Sequence, residues 1–450
     1  MTVRGPFPTL GGVLAGLSAA GILALTLHPA DGTHDLGVHA LCLACGEYGV
    51  ANIFRNILLF VPLGLGLGLA LRPGLMAWLP APLLSAAIEL AQLVVPGRNT
   101  LLIDWVANSA GGAVGIVLAA WGCVRIGRRS ATSSSGPRPR TPSPSVLPLG
   151  ICLLLAAATL VGSMAAFRIA LPAPPHFIQW TPALGHYDTY GGEILEATLG
   201  GQPVPGGRHP DPAQLEALLL AGAPLEVEFE AGAPPAGLAP IFNIFTGTRR
   251  ELLVLGARRD ALAVRLPFQA ARWRLDRPEL RLPGAMAGVD PGRRVVLEFR
   301  MAEDGVCLQV TPGSGTEPGP PLAGDGAPVR STCGLRPTPA DGWSLLLFPG
   351  PLSHGVLQAM GVLWLVGLGL LPGFFSPRLR WAAAAGGGLA LLALAAPSWT
   401  GSYGWTPVSD AGILGAASLV GYALAETVRR RTVSGARPTN VAAPPHDERH

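Results

Sequence analysis

The chain has 450 residues, 49% of them apolar and only 13% charged, against roughly 25% charged in soluble domains. That shortfall points to several membrane spans, and the length leaves room for a further unit. The net charge is only +4 and every Lys/Arg position is Arg. The arginine clusters are spread among loops with no basic, aromatic-interleaved face, which argues against a nucleic-acid partner. The six cysteines are scattered, which excludes a disulfide-stapled mini-protein.

An apolar run at 10–27 follows Arg4. The small-residue cleavage pattern after it is poor (His28, Pro29, Ala30), so an uncleaved helix is expected rather than a signal peptide. A polar loop at 28–52 then carries three histidines and Cys42-x-x-Cys45. Runs at 53–71, 75–95 and 101–124 are each close to the length of about 20 residues that spans a bilayer. The basic, Ser/Pro-rich segment 126–145 cannot bury a core and reads as a linker. A fifth span is expected at 146–170.

From 172 to 348 the texture changes. Short β-type runs recur between Pro/Gly turns, at 225–230, 241–245, 251–255, 261–266, 295–300, 306–310 and 343–348. Leu225, Val227 and Phe229 alternate with Glu226, Glu228 and Glu230, the pattern of a half-buried strand. Many short strands with turn signals imply a sandwich or barrel. Apolar runs at 353–372, 380–397 and 408–427 follow, before a polar tail from 429 to 450. The fold class expected is a multi-span α-helical membrane protein of about eight helices with an inserted all-β, sandwich-like domain.

Charge bias orients the chain. With both termini cytoplasmic, Arg4, Arg72, the arginines of 125–140, Arg378, Arg380 and Arg429–Arg431 all fall inside, as the positive-inside rule requires. The β-domain is then extracytoplasmic, and Trp399, Tyr403 and Trp405 lie at the outer interface, where such rings are enriched.

Polar groups set into the first spans are the candidate site, because such groups are costly in lipid and tend to mark function. Asn52 and Asn56 are one helical turn apart, with Arg55 beside them. Ser85, Glu89 and Gln92 share a face, and Glu89, seven residues before Pro96, lies about 10 Å below the outer helix end. A carboxylate there needs a cation or donors to stay charged, and Arg55 or Arg98 could supply it. Asp104 and Asn108 open the next span, followed by Gly111, Gly112 and Gly115. Asp104 sits where the helix dipole favours negative charge. The competing reading is structural: Asn52 as a helix cap, Gly64, Gly66 and Gly68 as helix contacts, and Glu89 in an interhelical ion pair.

The order N-x3-N-x3-F-x-P-x-G, then E-x2-Q, then R-x5-D-x3-N-x2-G-x3-G resembles the VanZ-like membrane family, named for a teicoplanin-resistance protein. The matching positions are Asn52, Asn56, Phe60, Pro62, Gly64, Glu89, Gln92, Arg98, Asp104, Asn108, Gly111 and Gly115, and the likeness covers residues 10–125. It implies an integral protein of the bacterial plasma membrane, in some members linked to glycopeptide tolerance, and hands over no reaction. The 172–348 region is more loosely similar to laminin-G and concanavalin-like sandwiches, which often bind glycans; it carries no calcium signature.

Three functions compete. The first is a non-enzymatic envelope protein binding an amphiphilic or lipid-linked ligand, such as a cell-wall precursor, through Asn52, Arg55, Asn56, Glu89, Gln92, Arg98, Asp104 and Asn108, with membrane lipids or an envelope glycan as partners. The second is an intramembrane lipid-headgroup enzyme using Glu89 or Asp104 as base. The third, a transporter, is disfavoured for want of clear inverted repeats. No cofactor is expected. His34, His39, Cys42 and Cys45 could hold a metal, but a single C-x-x-C in an external loop favours a disulfide or free thiols. Cys307 and Cys333 could close a loop. No H-E-x-x-H, G-x-S-x-G or Walker loop is present, and the Gly200–Gly207 run lacks the Lys of a phosphate loop. Asp410 with its glycines echoes Asp104, which on sequence alone reads as chance.

Overall fold

In the computed structural model the described residues are 7–28, 48–95, 101–127, 146–183, 187–248, 250–313, 330–347 and 352–434. Expectations for His34, His39, Cys42, Cys45 and Arg98 lie outside them.

Helices α1 (Pro8–Thr26), α2 (Gly49–Ala70), α3 (Leu75–Trp78), α4 (Pro80–Gln92) and α5 (Leu102–Gly127) form the first bundle. The expected third span is two helices in series, α3 and α4, joined at Leu79. Helix α6 (Leu147–Ala166) ends four residues earlier than the apolar run. Phe167 has already entered the β-domain core, and Ile169 bridges to Phe268.

The β-domain then runs through β1 (His176–Trp180), β2 (Glu193–Leu199), β3 (Gln202–Pro203), β4 (Gly207–Arg208), α7 (Pro212–Leu220), β5 (Leu225–Glu230), β6 (Ala239–Thr246), β7 (Glu251–Arg258) and β8 (Ala261–Arg265). It continues through α8 (Gln269–Arg272), β9 (Leu280–Leu282), β10 (Arg294–Ala302), β11 (Gly305–Pro312) and β12 (Arg330–Leu335). Two six-stranded antiparallel sheets result, ordered β4-β1-β6-β7-β8-β9 and β12-β11-β10-β5-β2-β3. One apolar core joins them, with Leu225, Val227 and Phe229 from one sheet and Phe242, Ile244, Leu255 and Val264 from the other. In β5 the glutamates face out, as the alternation requires. Cys307 and Cys333 form a disulfide between β11 and β12.

The apolar run at 343–348 is not a strand. Thr338 and Asp341 form a capping box that opens a 3-10 turn, Pro339–Leu345. Reciprocal capping satisfies the first free N–H groups of the turn, a local alternative to strand pairing. Helices α9 (His354–Phe375), α10 (Leu379–Thr400) and α11 (Val408–Ser434) complete the chain.

Among the described residues, eight helical segments are long and apolar enough to cross a membrane. Their packing sets direction. The ends of α1 and α4 meet where Gln92 Nε2 donates to Thr26 O at 3.0 Å. The start of α2 meets the β-domain where Ala51 N donates to Arg274 O at 3.2 Å. Residues just after α10 touch the same domain, Tyr403 N donating to Phe167 O. At the far end the two bundles join through Arg125, which donates to Ser376 O at 2.7 Å, and the edge-on pair Trp121–Phe375. The β-domain thus stands on one side of the helices, and the start of α1 and the end of α11 on the other.

Candidate functional site at the mouth of the N-terminal helices

Glycine contacts bring α2 and α5 together. A Cβ on Gly64 would stand 2.1 Å from Gly112 O, on Gly111 2.2 Å from Ile57 O, and on Gly115 2.2 Å from Val61 O. Backbones this close admit no larger residue. Trp105 Nε1 donates to Pro82 O and Trp78 Nε1 to Ser109 O, both at 3.0 Å, tying α5 to α3 and α4. Three helix ends are therefore fixed side by side below the β-domain.

Their polar groups meet. Asn52 Nδ2 donates to Asp104 Oδ1 at 2.7 Å, and Asn56 donates to the same carboxylate. An Arg55 Nη donates to Asn52 Oδ1 at 3.2 Å, and its guanidinium is in electrostatic reach of Asp104. Glu89, 8% exposed, faces Asp104 and accepts from Leu101 N at 3.2 Å. Asn108 Nδ2 donates to Ser85 Oγ at 2.9 Å, with both residues buried. Two buried polar atoms, Asn108 Oδ1 and Arg55 Nε, have no hydrogen-bond partner among the described residues. Buried polar atoms are nearly always satisfied, so such exceptions ask for an explanation.

Residues 14–123 match the family model VanZ/LLP1. The N-terminal membrane module is VanZ-like. No curated protein and no solved structure matches the chain. Together with the eight apolar helices, the match makes this a multi-pass integral membrane protein whose first bundle is the VanZ-like part.

Within the VanZ-like module, Asn52, Arg55, Asn56, Glu89 and Asp104 share one polar cluster, and Asn108 lies deeper, against Ser85. Gln92 is turned away, toward the end of α1. What stands above the cluster has no signature in the sequence. Asp276, in the turn after α8, is an electrostatic partner of Arg55. It also accepts from Arg265 at 3.3 Å and from Arg277 N at 2.8 Å. Burial pushes the Asp276 carboxyl up, against the pull of Arg265, Arg277 and Arg55. Arg277 continues to Glu251 at 2.6 Å, and Tyr187 donates to Glu251 at 2.8 Å. The polar cluster of the membrane is thus continuous with a buried ionic network of the β-domain. Among the described residues no group of His, Cys, Asp and Glu could hold a metal.

Proposed function

We propose that the VanZ-like module binds the polar headgroup of an amphiphilic, lipid-linked envelope ligand at the Asp104–Asn52–Arg55 cluster, in the outer half of the membrane. The observation that carries the reading is a half-buried polar cluster, in which Arg55 Nε has no hydrogen-bond partner among the described residues, standing beside lipid-facing apolar walls. Phe54 and Leu58 of α2, Leu90 of α4, and Trp105 and Val106 of α5 are exposed around it. Direct approach from above meets the β-domain at Ala51 and Arg274. A headgroup can therefore reach the cluster sideways while its chains stay in the bilayer, which free solutes cannot do. The arginine bias supports an extracytoplasmic β-domain and cytoplasmic termini; reporter fusions at residues 130 and 440 that are active only outside the cytoplasm would overturn that orientation.

The direct test is binding of lipid-linked cell-wall precursor to the purified protein in nanodiscs. Retention is expected to fall in Asp104→Ala and Glu89→Ala; equal retention in parent and both variants refutes the reading. A role in glycopeptide tolerance follows from it, and is checked by whether the parent gene, but not Asp104→Ala, raises the inhibitory concentration in a sensitive host. The facing carboxylates Glu89 and Asp104 would also suit acid–base chemistry on a headgroup. Accumulation of one lipid in a deletion strain would favour that second reading.

A further inference from the structure

The second bundle repeats the packing of the first. In α2 and α5, Gly64 lies against Gly112 O and Gly115 against Val61 O and Leu65 N. In α9 and α11, Gly373 lies against Ser418 O, and Gly421 against Leu370 O and Phe374 N. These contacts superimpose α9 on α2 and α11 on α5 in a single register. The same register puts the first residue of α11, Val408, on the first residue of α5, Leu102, and Asp410 on Asp104. The third helix agrees: Ala81 of α4 packs on Gly112, and Ala382 of α10 accepts from Ser418 Oγ at 3.0 Å. Two close backbone approaches, a helix start, a third helix and an acid all coincide. Reading Asp410 as a chance echo does not survive this geometry.

The second copy has lost every other polar group of the site. Gly361 stands for Asn52, Trp364 for Arg55, Leu365 for Asn56, Gly386 for Ser85, Ala390 for Glu89 and Leu414 for Asn108. Leu365 and Leu414 are fully buried in an apolar cluster with Leu389 and Ala393. The mouth of this copy is filled. The 3-10 turn Pro339–Leu345 sits in it, Ala340 N donating to Asp410 Oδ2 at 3.2 Å, with Thr338 also bonded to that carboxylate. A Cβ on Gly361 would be 3.1 Å from Ala340 Cβ and 3.2 Å from Ala340 O. The turn thus takes the volume of the missing Asn52 side chain and supplies the N–H that Asn52 gives to Asp104. Gly342 and Trp364 close the far side.

We propose that α9, α10 and α11 are a second VanZ-like frame whose mouth has become a receptor for a polypeptide turn, the β-domain's own Thr338–Leu345, held by its backbone N–H on Asp410. This site anchors the β-domain and so fixes where it stands over the first frame. It is independent of what the first frame binds.

Ser344, 3% exposed, reports on the seated turn when changed to Cys in the full-length protein. Gly361→Asn restores the side chain of the first copy and must displace Ala340; Asp410→Ala removes the acceptor. In each, Ser344→Cys is expected to react with an impermeant maleimide at least about tenfold faster than in the parent, as a site freed from a docked state does. Gly367→Ala, on the open side of α9, should leave the rate unchanged. Equal protection of Ser344→Cys in parent, Gly361→Asn and Asp410→Ala, all monodisperse, overturns the proposal. If Gly361→Asn does not fold, Gly361→Ala, whose Cβ meets Ala340 Cβ at 3.1 Å and Ala340 O at 3.2 Å, and Asp410→Ala decide it.

Discussion

The second frame is a natural control for the first. If Ser85 and Asn108 exist to hold helices together, the frame should need them; the second copy is built with Gly386 and Leu414 instead. The variant Ser85→Gly/Asn108→Leu imports that pair, and removing the Ser side chain offsets about half of the volume that Leu adds over Asn. It loses one buried hydrogen bond, worth about 1 kcal/mol, and places a glycine in a helix, about 0.5 kcal/mol relative to Ser. It also removes the unpaired Asn108 Oδ1, whose desolvation costs about 1–3 kcal/mol. The net change runs from a loss of about 0.5 to a gain of about 1.5 kcal/mol, or a few degrees in melting temperature at about 2–4 °C per kcal/mol. Thermal unfolding in detergent, followed by intrinsic fluorescence, measures it, and precursor binding in nanodiscs measures function. Unchanged stability with binding weakened tenfold or more, about 1.4 kcal/mol, is the expected pair of results. A loss of about 3 kcal/mol or more, the scale of breaking a buried polar network, would show that the polar pair is packing and refute the reasoning.

Three further outcomes follow from the β-domain. Asp276→Ala leaves Arg265, 1% exposed, short of one of its carboxylates and should cost about 3 kcal/mol or more, read by chemical denaturation, with Asp276→Asn milder; an effect below about 0.5 kcal/mol would deny the network its role. Cys307→Ser/Cys333→Ser opens a loop of 26 residues and should cost about 3 kcal/mol, with reductant lowering the parent's melting temperature and leaving the variant's unchanged. Burial raises the Asp341 carboxyl from 3.8 to about 6, with Asp410 adding to the rise and the Thr338 N–H and hydroxyl opposing it. A folded-state value above the unfolded one means a contribution that is full below about pH 4 and is lost as pH rises through about 6. Asp341→Asn should flatten the pH 4–6 part of the stability curve; a parent curve that rises over that interval, with the variant's parallel to it, would contradict the assignment.

Much of the architecture was legible because bilayer spans demand long apolar runs and half-buried strands demand alternation. The VanZ-like residues were legible because polar side chains in such runs are rare. What escaped depends on three dimensions. The run 343–348 has strand composition, and only the pairing of Thr338 with Asp341 makes it a turn. The repeat escaped because the three helices recur with unequal spacing along the chain and the conspicuous polar residues are gone from the second copy. What persists are glycines such as Gly373 and Gly421, whose meaning lies in the carbonyl each one faces. The partnership of Arg55 with Asp276 crosses from one end of the described chain to a turn of the inserted domain, where no spacing could reveal it.

The two frames together explain the position of the β-domain. It enters the second frame between α6 and α9, and its turn is seated on Asp410. It reaches the first frame through Ala51 N on Arg274 O, the electrostatic contact of Arg55 with Asp276, and Tyr48 beside Arg265. The anchored contact buries Asp410 under the turn, above the apolar cluster of Leu365 and Leu414, while the contact over the VanZ-like cluster shares Arg55 with it. A ligand headgroup that draws Arg55 toward itself competes with Asp276 for the same guanidinium. Binding below and the ionic network above are therefore linked through one side chain, and by reciprocity any change in that network alters affinity at the cluster by the same free energy. Arg55→Gln, which removes the charge that Asp276 and the headgroup would share, should weaken precursor binding and make it insensitive to Asp276→Asn. A binding constant that still shifts with Asp276→Asn in the Arg55→Gln background would place the linkage elsewhere.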